Sequence, residues 1–502
     1  MSIALLLEMA ATTNPDRPAL VSGEIRWTAK ELSALADGAA GVIAASDAQH
    51  VAYVGAGGEM LPLLLFGSAR AGVAVTPLNY RLSAEALRAL IARLPNPLIV
   101  VDDEYRDVVD GRRMMSSTEF VNAAKAAGHI PQFPDPDSVA VVLFTSGTTA
   151  APKAVELTHN NLTSYVTGTV EFDSADPGDA ALICVPPYHI AGVGAALSNV
   201  FAGRKMVYLK HFDALEWVRL VGAEGVTSAT VVPTMLNRIV GLLEEAASDT
   251  IAMPTLRTLA YGGSKVALPL VHRALSLLPG VGFVNAYGLT ETSSTIAVLT
   301  PDDHRAALAA NEDAALRRLA SVGHPVPGIE VQIRSEDGTV LAAGQTGELF
   351  VRGDQVSGRY TGLGSVLDAD GWFPTRDVAM LDDAGYLFLG GRSDDTIIRG
   401  GENIAPAEIE DVLVEHPHVC DCAVVGPEDP EWGQIIVAVV VPTPGTDPDP
   451  QDLRTHVRTQ LRGSRTPDRV VFRSKLPTNA TGKIMRRELV DELNAASTSA
   501  QS

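Results

Sequence analysis

A short apolar strand that runs directly into a loop of hydroxyls and glycine limits most strongly what this chain can fold into. The strand is predicted over residues 139–144, after the turn Asp135-Pro136-Asp137-Ser138. The loop offers hydroxyl donors and room for backbone N–H groups to approach an anion, and a lysine adds a cation. The pattern therefore predicts a phosphate site at the end of a strand, where open α/β sheets bind ligands. Its residues are Thr145, Ser146, Gly147, Thr148, Thr149 and Lys153.

This loop differs from a Walker loop, because no Gly-Lys-Ser/Thr closes it and Pro152 precedes the lysine. The whole chain is acidic, with a formal charge of −21 over 502 residues. Nucleic acids and anionic membranes bind basic surfaces, so neither is expected as a partner. A phosphate site must then be a local exception to the charge of the protein.

Three cysteines are too few for a disulfide framework or a four-ligand zinc site. The apolar run over residues 59–78 is interrupted by Pro62 and Arg70, so no transmembrane segment is expected. We expect a cytoplasmic protein with reduced thiols. Transient contact with a membrane surface and the oligomeric state stay open.

Helical and strand patterns alternate along the chain, which predicts an α/β fold. Thr28 and Glu31 form a capping-box signature at the start of one helix. Further strands end in residues that suit a ligand site, and one of them runs into Pro186-Pro187-Tyr188-His189. The other strand ends carry Gly262, Gly263, Asn285, Ala286, Tyr287, Gly288, Thr290 and Glu291.

Each of these features also has an ordinary structural interpretation. His189 could be a core histidine, although its place at a strand end beside prolines makes a pocket rim about as plausible. Gly262-Gly263 could be only a tight turn, and Thr290-Glu291 only the start of a helix. Lys483 alone would be read as a solvated surface lysine.

The composition changes near residue 371, where turn-rich short strands begin. Beyond Asp395 the pattern predicts strands and a helix that begins near Pro406, which together fit a small α+β domain. Residues 495–502 have too little apolar surface to fold and are expected to form a disordered tail.

Six motifs in order give the chain a resemblance to the adenylate-forming superfamily, which includes acyl-CoA synthetases, firefly-type luciferases and the adenylation domains of peptide synthetases. The resemblance is greatest to a fatty acyl-CoA synthetase. It implies a large N-terminal domain of layered sheets and helices (αβαβα-like) over residues 1–392, a hinge at 393–396 and a mobile C-terminal domain at 397–494. The motifs cover residues 145–155, 187–192, 285–291, 371–377, 391–403 and 477–487.

The resemblance implies a two-step reaction, in which a carboxylate attacks the α-phosphate of ATP and a thiol then displaces AMP from the acyl-adenylate. ATP, Mg²⁺ and CoA are the expected cofactor and co-substrates, and the acid is a small molecule. A carboxylate and a triphosphate repel each other, so such a site needs cations and oriented donors.

The resemblance also implies a role for each matching residue. The 145–153 loop would hold the β- and γ-phosphates, Thr290 the α-phosphate, and Glu291 with Thr145 the Mg²⁺. Tyr287 would pack on adenine against the backbone of residues 262–263 and 285–288. Asp377 and Arg392 would bind the ribose, His189 would line the carboxylate site, and Lys483 would bridge carboxylate and α-phosphate.

Asp394 matches the hinge of the superfamily, about which the C-terminal domain would rotate between the two half-reactions. That rotation would bring in Lys483 for adenylation and a turn for thioester formation. Three positions depart from the usual glycines, namely Ala150, Ala154 and Arg376. The turn for the second step consists of Arg399, Gly400, Gly401 and Glu402.

The acceptor and the acid are less constrained. The Gly400-Gly401 turn favours CoA, with loading of a carrier protein and a nucleotide-binding pseudoenzyme as the alternatives; nothing favours a luciferase-like oxygenation. The residues expected around the acyl group are mostly small and apolar, with no basic residue placed for a second carboxylate. This favours a fatty or other hydrophobic acid. The expected lining consists of residues 190–193, 233–235 and 293–296.

Overall fold

The computed structural model describes residues 1–109, 113–128, 133–145, 152–245, 253–310, 316–392, 395–399, 402–430, 432–461, 463–479 and 482–499, with the side chains of residues 392, 403 and 497–499 outside this set. Within it, α-helices and β-strands alternate through most of the chain. The helices are α1 (Ala4–Thr13), α2 (Ala29–Ala45), α3 (Met60–Arg70), α4 (Ala84–Ile91), α5 (Ser117–Ala126), α6 (His159–Thr169), α7 (Ile190–Ala202), α8 (Ala214–Ala223), α9 (Pro233–Glu245), α10 (Leu268–Leu277), α11 (Pro301–Ala309), α12 (Pro406–Val414), α13 (Pro450–Gln460) and α14 (Arg486–Ser499).

One large sheet has nine strands in the order β15-β14-β13-β12-β11-β9-β10-β1-β2. The central strands β13, β12, β11, β9, β10 and β1 run parallel to one another. The pairs at the two edges, β1–β2, β13–β14 and β14–β15, are antiparallel. The carboxyl ends of β9, β11, β12 and β13 therefore meet at one edge of the sheet. The strands are β1 (Pro18–Ser22), β2 (Ile25–Thr28), β9 (Ala180–Ile183), β10 (Lys205–Tyr208), β11 (Ser228–Val231), β12 (Thr258–Gly262), β13 (Gly282–Leu289), β14 (Ser294–Leu299) and β15 (His324–Pro325).

A second sheet has eight strands in the order β19-β18-β8-β7-β4-β3-β5-β6. Strand β7 is parallel to β4 but antiparallel to β8, so the predicted phosphate loop is a connection between two adjacent strands. The strands are β3 (His50–Val54), β4 (Ala74–Leu78), β5 (Pro97–Val101), β6 (Met114–Ser116), β7 (Val139–Thr145), β8 (Lys153–Thr158), β18 (Arg359–Tyr360) and β19 (Gly364–Ser365).

Helix α3 is buried along its whole length, in a core cluster that also draws residues from both large sheets. Its last residue, Arg70, is fully buried and donates to the carbonyl of Ser33 at 2.6 Å and to Asp37 at 2.8 Å. A buried guanidinium is costly unless it is paired, so these bonds fix the position of α3 against α2.

Antiparallel strands follow in the order β16-β17-β20-β21, and the C-terminal lobe, defined here as residues 397–499, holds two smaller sheets. The lobe has two apolar clusters of its own. The strands are β16 (Glu330–Arg334), β17 (Thr346–Arg352), β20 (Phe373–Leu381), β21 (Leu387–Arg392), β22 (Ile397–Arg399), β23 (Glu402–Ile404), β24 (Val419–Val425), β25 (Glu428–Asp429), β26 (Gly433–Gln434), β27 (Val437–Pro442) and β28 (Arg469–Phe472).

The α/β architecture with a small α+β C-terminal part confirms the predicted fold class. The Thr28–Glu31 capping box is present, and α12 begins at Pro406. The tail predicted from Ala495 is wrong as far as Ser499, because α14 continues to that residue; buried Leu489 and Leu493 anchor it, and alanines extend it. No helix among the described residues is long and apolar enough to cross a membrane. The exact domain and hinge boundaries stay predictions.

The three departures from glycine have different backbone conformations. Ala154 pairs with Phe144 in the regular ladder between β7 and β8, and it has no positive φ. Ala150 lies outside the described residues. Arg376 has a φ of 65°, in the left-handed region that costs an L-residue about 1–2 kcal/mol. Strain is therefore located at Arg376 and not at Ala154.

Replacing Arg376 with glycine should relieve this strain. We expect Arg376→Gly to raise the free energy of unfolding by about 1 kcal/mol, because its ion pair with Glu348 is long, at 3.9 Å, and exposed. Urea and thermal unfolding measure the change. Arg359→Gly is the matched control: Arg359 is similarly exposed and paired with Glu156, but it lies in β18 with an ordinary φ, so its replacement should lower stability. If the urea or thermal unfolding midpoint of Arg376→Gly were lower than that of the wild-type protein, the assignment of strain to Arg376 would be wrong.

Candidate active site

A cavity of about 1820 Å³ lies at the carboxyl edge of the nine-stranded sheet and extends to the C-terminal lobe. Its wall among the described residues carries eight lysines and arginines but only four aspartates and glutamates. This excess of positive charge is the local exception that an acidic chain needs in order to bind anionic ligands. The cationic residues are Arg81, Lys153, Arg204, Arg238, Arg376, Lys483, Arg486 and Arg487.

Glycines form the flat part of the wall. A Cβ on Gly262 would lie 2.1 Å from the carbonyl oxygen of Ala286, and one on Gly288 would lie 1.8 Å from the carbonyl oxygen of Ser294. Gly263 follows with a φ of 87°. Only glycine fits such close approaches of backbone, so this part of the wall carries no side chains.

Residues on β13 alternate between the cavity and the far side of the sheet. Ala286 and Gly288 line the cavity, whereas Asn285 is not among the lining residues and its amide donates to the carbonyl of Ser321 at 3.1 Å. From sequence, four positions of β13 were expected in one site, namely Asn285, Ala286, Tyr287 and Gly288. Successive side chains of a strand point to opposite faces, so Asn285 supports the strand from behind instead of facing the cavity.

Tyr287, on the same face of β13 as Asn285, donates a hydrogen bond of 2.5 Å to Asp377. In the backbone register of β20 and β21, Asp377 lies opposite Arg392. The structure therefore brings together the residues expected to bind adenine and ribose. Neither Tyr287 nor Asp377 is a lining residue of the cavity, however, so their assigned contacts with a nucleotide stay predictions.

Tyr360, which was not predicted as a site residue, contacts both Glu291 and Lys153. The hydroxyl of Tyr360 donates to Glu291 Oε1 at 2.9 Å, and Lys153 Nζ lies 5.5 Å from the centre of the Tyr360 ring. Tyr360 is buried and pairs with Val155, next to the phosphate loop. Tyr360 lies in the two-residue strand β18, and the local sequence does not predict a strand at that place.

His189 is the N-cap residue of α7 and lies on the cavity wall, with its ring 4.9 Å from that of Tyr188. Burial lowers the pKa of His189 to about 4. The imidazole is therefore neutral at pH 7, and it can exchange a hydrogen bond with a carboxylate without adding a charge. This geometry agrees with the pocket-rim interpretation and not with the core one.

Lys483 reaches the cavity from the C-terminal lobe. Its loop is held by two hydrogen bonds, from Lys483 N to Asn479 Oδ1 at 2.9 Å and from Asn479 N to the Lys483 carbonyl at 2.8 Å. A Cβ on Gly482 would lie 2.8 Å from the side chain of Thr234, so the loop touches the N-terminal part at the cavity wall. The site thus contains residues from both parts of the chain.

The residues predicted for the second step lie elsewhere in this arrangement. Arg399 donates to Asp468 at 2.7 and 3.0 Å and stacks on Trp432, while Glu402 accepts from Arg465 at 2.8 Å. Neither Arg399 nor Glu402 lines the cavity. Several predicted site residues lie outside the described residues, namely Ser146, Gly147, Thr148, Thr149, Asp394, Gly400 and Gly401.

The acyl pocket predicted from sequence is only partly the one observed. Ile190, Ala191, Thr234, Met235, Ser294 and Thr295 line the cavity, whereas Val193 and Ile296 belong to the apolar cores. The sequence indicated no basic residue placed for a second carboxylate, but two arginines, Arg204 and Arg238, lie on the cavity wall. Arg204 follows α7 in sequence, so its position depends on the length of that helix.

The residues present fit ATP and Mg²⁺. Mg²⁺ is held in proteins by one or two carboxylates together with substrate phosphates and water. Glu291 is a carboxylate on the wall beside Lys153, and the described residues hold no cluster of three or more acidic, histidine or cysteine ligands that would bind a metal without a nucleotide.

Comparison with known proteins agrees with this geometry. Residues 7–361 match the family described as AMP-binding enzyme, and residues 408–483 match the AMP-binding enzyme C-terminal domain. The chain belongs to the AMP-binding enzyme family. It is 35% identical to ScoC, a fatty acid–[acyl-carrier-protein] ligase of Streptomyces coeruleorubidus, over 88% of this chain and 86% of that protein. It is 34% identical to a feruloyl-CoA synthase of Amycolatopsis sp, over 95% and 96% of the two chains.

Among solved structures, the chain resembles o-succinylbenzoate CoA synthetase from Bacillus subtilis in complex with its acyl-adenylate intermediate. The TM-score is 0.83 at 28% identity, and the match covers 96% of this chain and 97% of that one. The predicted superfamily and the enzyme class, an AMP-forming ligase that joins an acid to a thiol, are confirmed, as are ATP and Mg²⁺ as its cofactors and CoA as the co-substrate of the class.

Tyr360→Phe tests the link between Glu291 and Lys153. The change removes the hydroxyl that donates to Glu291 but keeps the ring beneath Lys153, so the carboxylate loses its orientation and the lysine keeps its contact. We expect kcat/KM for pyrophosphate release to fall by about tenfold, with a higher Mg²⁺ concentration for half-maximal rate.

Tyr386→Phe is the matched control, since the Tyr386 hydroxyl donates to Asp303 at 2.7 Å away from the cavity. This variant should keep the wild-type Mg²⁺ dependence. An unchanged Mg²⁺ dependence in Tyr360→Phe would mean that Glu291 needs no support from Tyr360.

Proposed function

We propose that the protein activates a carboxylic acid that has an apolar chain, converts it with ATP to an acyl-adenylate, and transfers the acyl group to CoA. The observation that carries the proposal is that Lys483, from the C-terminal lobe, shares one cavity with Glu291 and Lys153. A cavity with this set can hold a carboxylate and a triphosphate together, because cations enter from two sides.

In the proposed first step, the acid lies beside neutral His189, and its carboxylate oxygen attacks the α-phosphorus of ATP. Thr290 and Lys483 stabilise the negative charge that develops on the phosphate oxygens, while Lys153 and the loop before it hold the departing pyrophosphate. Mg²⁺, held by Glu291 with Thr145 nearby, offsets phosphate charge when it is bound. Asp377 and Arg392 bind the ribose.

Small apolar residues support an apolar chain for the acid. Ala191 and Ala195 on α7 line the cavity together with Leu182 and Ala260 of the sheet. The three relatives described above act on acids of different shapes, as a fatty acid ligase, a feruloyl-CoA synthase and an o-succinylbenzoate CoA synthetase. The acid of this protein therefore has to be inferred from its own cavity.

Lys483→Ala separates the two half-reactions. Loss of this cation should lower acid-dependent pyrophosphate release by about a hundredfold or more, because no other charge replaces it between carboxylate and α-phosphate. Synthetic acyl-adenylate supplied to the variant should still give acyl-CoA at nearly the wild-type rate.

Lys475→Ala is the control for the lysine variant, since Lys475 is an exposed lysine of the same lobe that does not line the cavity. It should leave both steps unchanged. Equal loss of both steps in Lys483→Ala would exclude the proposed role. Tight binding of ATP without pyrophosphate release for any acid would instead support the pseudoenzyme alternative.

The proposed acceptor is CoA, and the second candidate is a carrier protein. The Gly400-Gly401 turn resembles that of CoA ligases, and the relative that covers more of the chain is a CoA synthase. ScoC, at a similar identity, is the observation that favours the carrier. Premade acyl-adenylate should react with CoA at a kcat/KM about tenfold or more above that for phosphopantetheinylated carrier protein, a difference of about 1.4 kcal/mol. If the carrier protein reacted with the higher kcat/KM, the proposed acceptor would be a carrier protein instead of CoA.

Rotation of the C-terminal lobe about Asp394 belongs to the same proposal. Arg399 and Glu402 lie outside the cavity while Lys483 lies inside it, an arrangement that suits the first step. For thioester formation, the lobe would have to turn so that residues 399–402 replace the lysine loop. Asp394→Pro would restrict the backbone at that point and leave acyl-adenylate to accumulate, which hydroxylamine trapping detects.

A further inference from the structure

The acyl part of the cavity runs as a groove between α7 and the nine-stranded sheet. On α7 its wall is formed by Ala191, Ala195, Ser198 and Asn199, which share one face of the helix. On β12 the wall is formed by Thr258, Ala260 and Gly262, which alternate along the strand. The groove therefore begins at the glycines of the nucleotide site and follows both elements towards the amino ends of the strands.

Both walls give the same length. From residue 190 to 199, nine helical steps of about 1.5 Å span about 13 Å. From Gly262 back to Thr258, four strand steps of about 3.3 Å also span about 13 Å. An extended chain of medium length would thus place its carboxylate near His189 and its other end between Ser198 and Thr258.

The far end of the groove is polar, in contrast to its middle. The Ser198 hydroxyl is buried and has no hydrogen-bond partner among the described residues. Arg204 lies just beyond Gly203, which ends α7 with a φ of 74°. Within the described part of the chain, the Arg204 side chain makes one hydrogen bond, a long one from Nη1 to Asn199 Oδ1 at 3.5 Å.

The neighbouring charges are already paired. Arg17 bonds Asp173 at 2.7 Å, and Arg257 bonds Asp179, the acidic residue that acts on Arg204. Arg204 itself has no ion pair within the described ranges, and burial lowers the pKa of its guanidinium. A partly desolvated cation without a partner of its own is unfavourable, and a bound anion would remove that cost.

From this juxtaposition we infer that the acid carries a second carboxylate at its far end, which Arg204 binds together with the Ser198 hydroxyl. This inference rests on the proposed function and specifies its substrate class: an α,ω-dicarboxylic acid with a polymethylene middle. The hydrocarbon lies against Ala191, Ala195 and Ala260. A plain fatty acid would instead press its methyl end against a guanidinium and an unpartnered hydroxyl.

The test compares acids of equal length. Pyrophosphate release is measured with octanoic, decanoic and dodecanoic acid and with suberic, sebacic and dodecanedioic acid. The wild-type protein should show a kcat/KM for the best diacid about tenfold or more above that for the matching fatty acid. The monomethyl ester of that diacid, which keeps the shape but lacks the distal charge, should lose the advantage.

Variants assign the preference to Arg204. Arg204→Met should remove the advantage of the diacid while retaining turnover of the fatty acid, and Arg204→Lys should keep part of it. Arg219→Met is the control, because Arg219 is an exposed arginine of α8 that pairs with Glu216 outside the cavity. The Arg219→Met variant should have the same ratio of kcat/KM for the diacid to kcat/KM for the fatty acid as the wild-type protein.

The outcomes are distinguishable. If fatty acids or the monomethyl ester match the diacids in the wild-type protein, the distal carboxylate is wrong while the proposed function stands. If ω-hydroxy acids match the diacids, a neutral polar end is recognised and the inference of an anion is overturned. If no acid releases pyrophosphate, the proposed function fails and this inference falls with it.

Discussion

Repulsion between anions is the constraint on which this structure depends. A protein with a formal charge of −21 has to hold a carboxylate against a triphosphate, yet the cavity wall has twice as many cationic as acidic residues among the described positions. The cations come from separate elements, such as Lys153 on β8, Arg376 on β20 and Lys483 in the C-terminal lobe. The charge of the site is therefore complete only when the lobe is in place.

The glycine positions follow from the same need for close contact. At Gly262 and Gly288, the backbones of β12, β13 and β14 approach so closely that any side chain would collide with a carbonyl oxygen, that of Ala286 or that of Ser294. This brings the carboxyl ends of β12 and β13 and the amino end of β14, which is antiparallel to β13, into one wall. Glu291 follows directly in a short 3₁₀ helix, so the glycine wall and the carboxylate proposed to hold Mg²⁺ come from one continuous segment of the chain.

The sequence predicted the architecture well because its signals are local. Strand ends, capping residues and the change of composition near residue 371 all follow from short-range preferences. The alternation along β13 could also have separated Asn285 from Ala286 and Gly288, since a strand has a period of two. Tyr360 could not have been found in this way, because only the pairing of β18 with β8 brings it to Glu291.

Arg204 was missed for a similar reason. It is one arginine among many, and nothing near it in sequence resembles a binding motif. Its role depends on α7, whose thirteen residues carry the chain from His189 at one end of the groove to Arg204 at the other. Similarly, the left-handed φ of Arg376 is a property of its turn in the strand pairing of β17 and β20, where a register shift occurs.

Because His189 is neutral, another residue has to supply the positive charge that the substrate carboxylate needs during the reaction. A protonated imidazole would hold the substrate carboxylate as an ion pair before reaction, and such ground-state binding does not accelerate the chemical step. With its pKa lowered to about 4 by burial, His189 is neutral at pH 7, and in the proposed mechanism it orients the acid without adding charge. In that mechanism the positive charge that attack requires comes from Lys483 on the C-terminal lobe, so the proposed rotation of the lobe would control when the carboxylate meets this lysine.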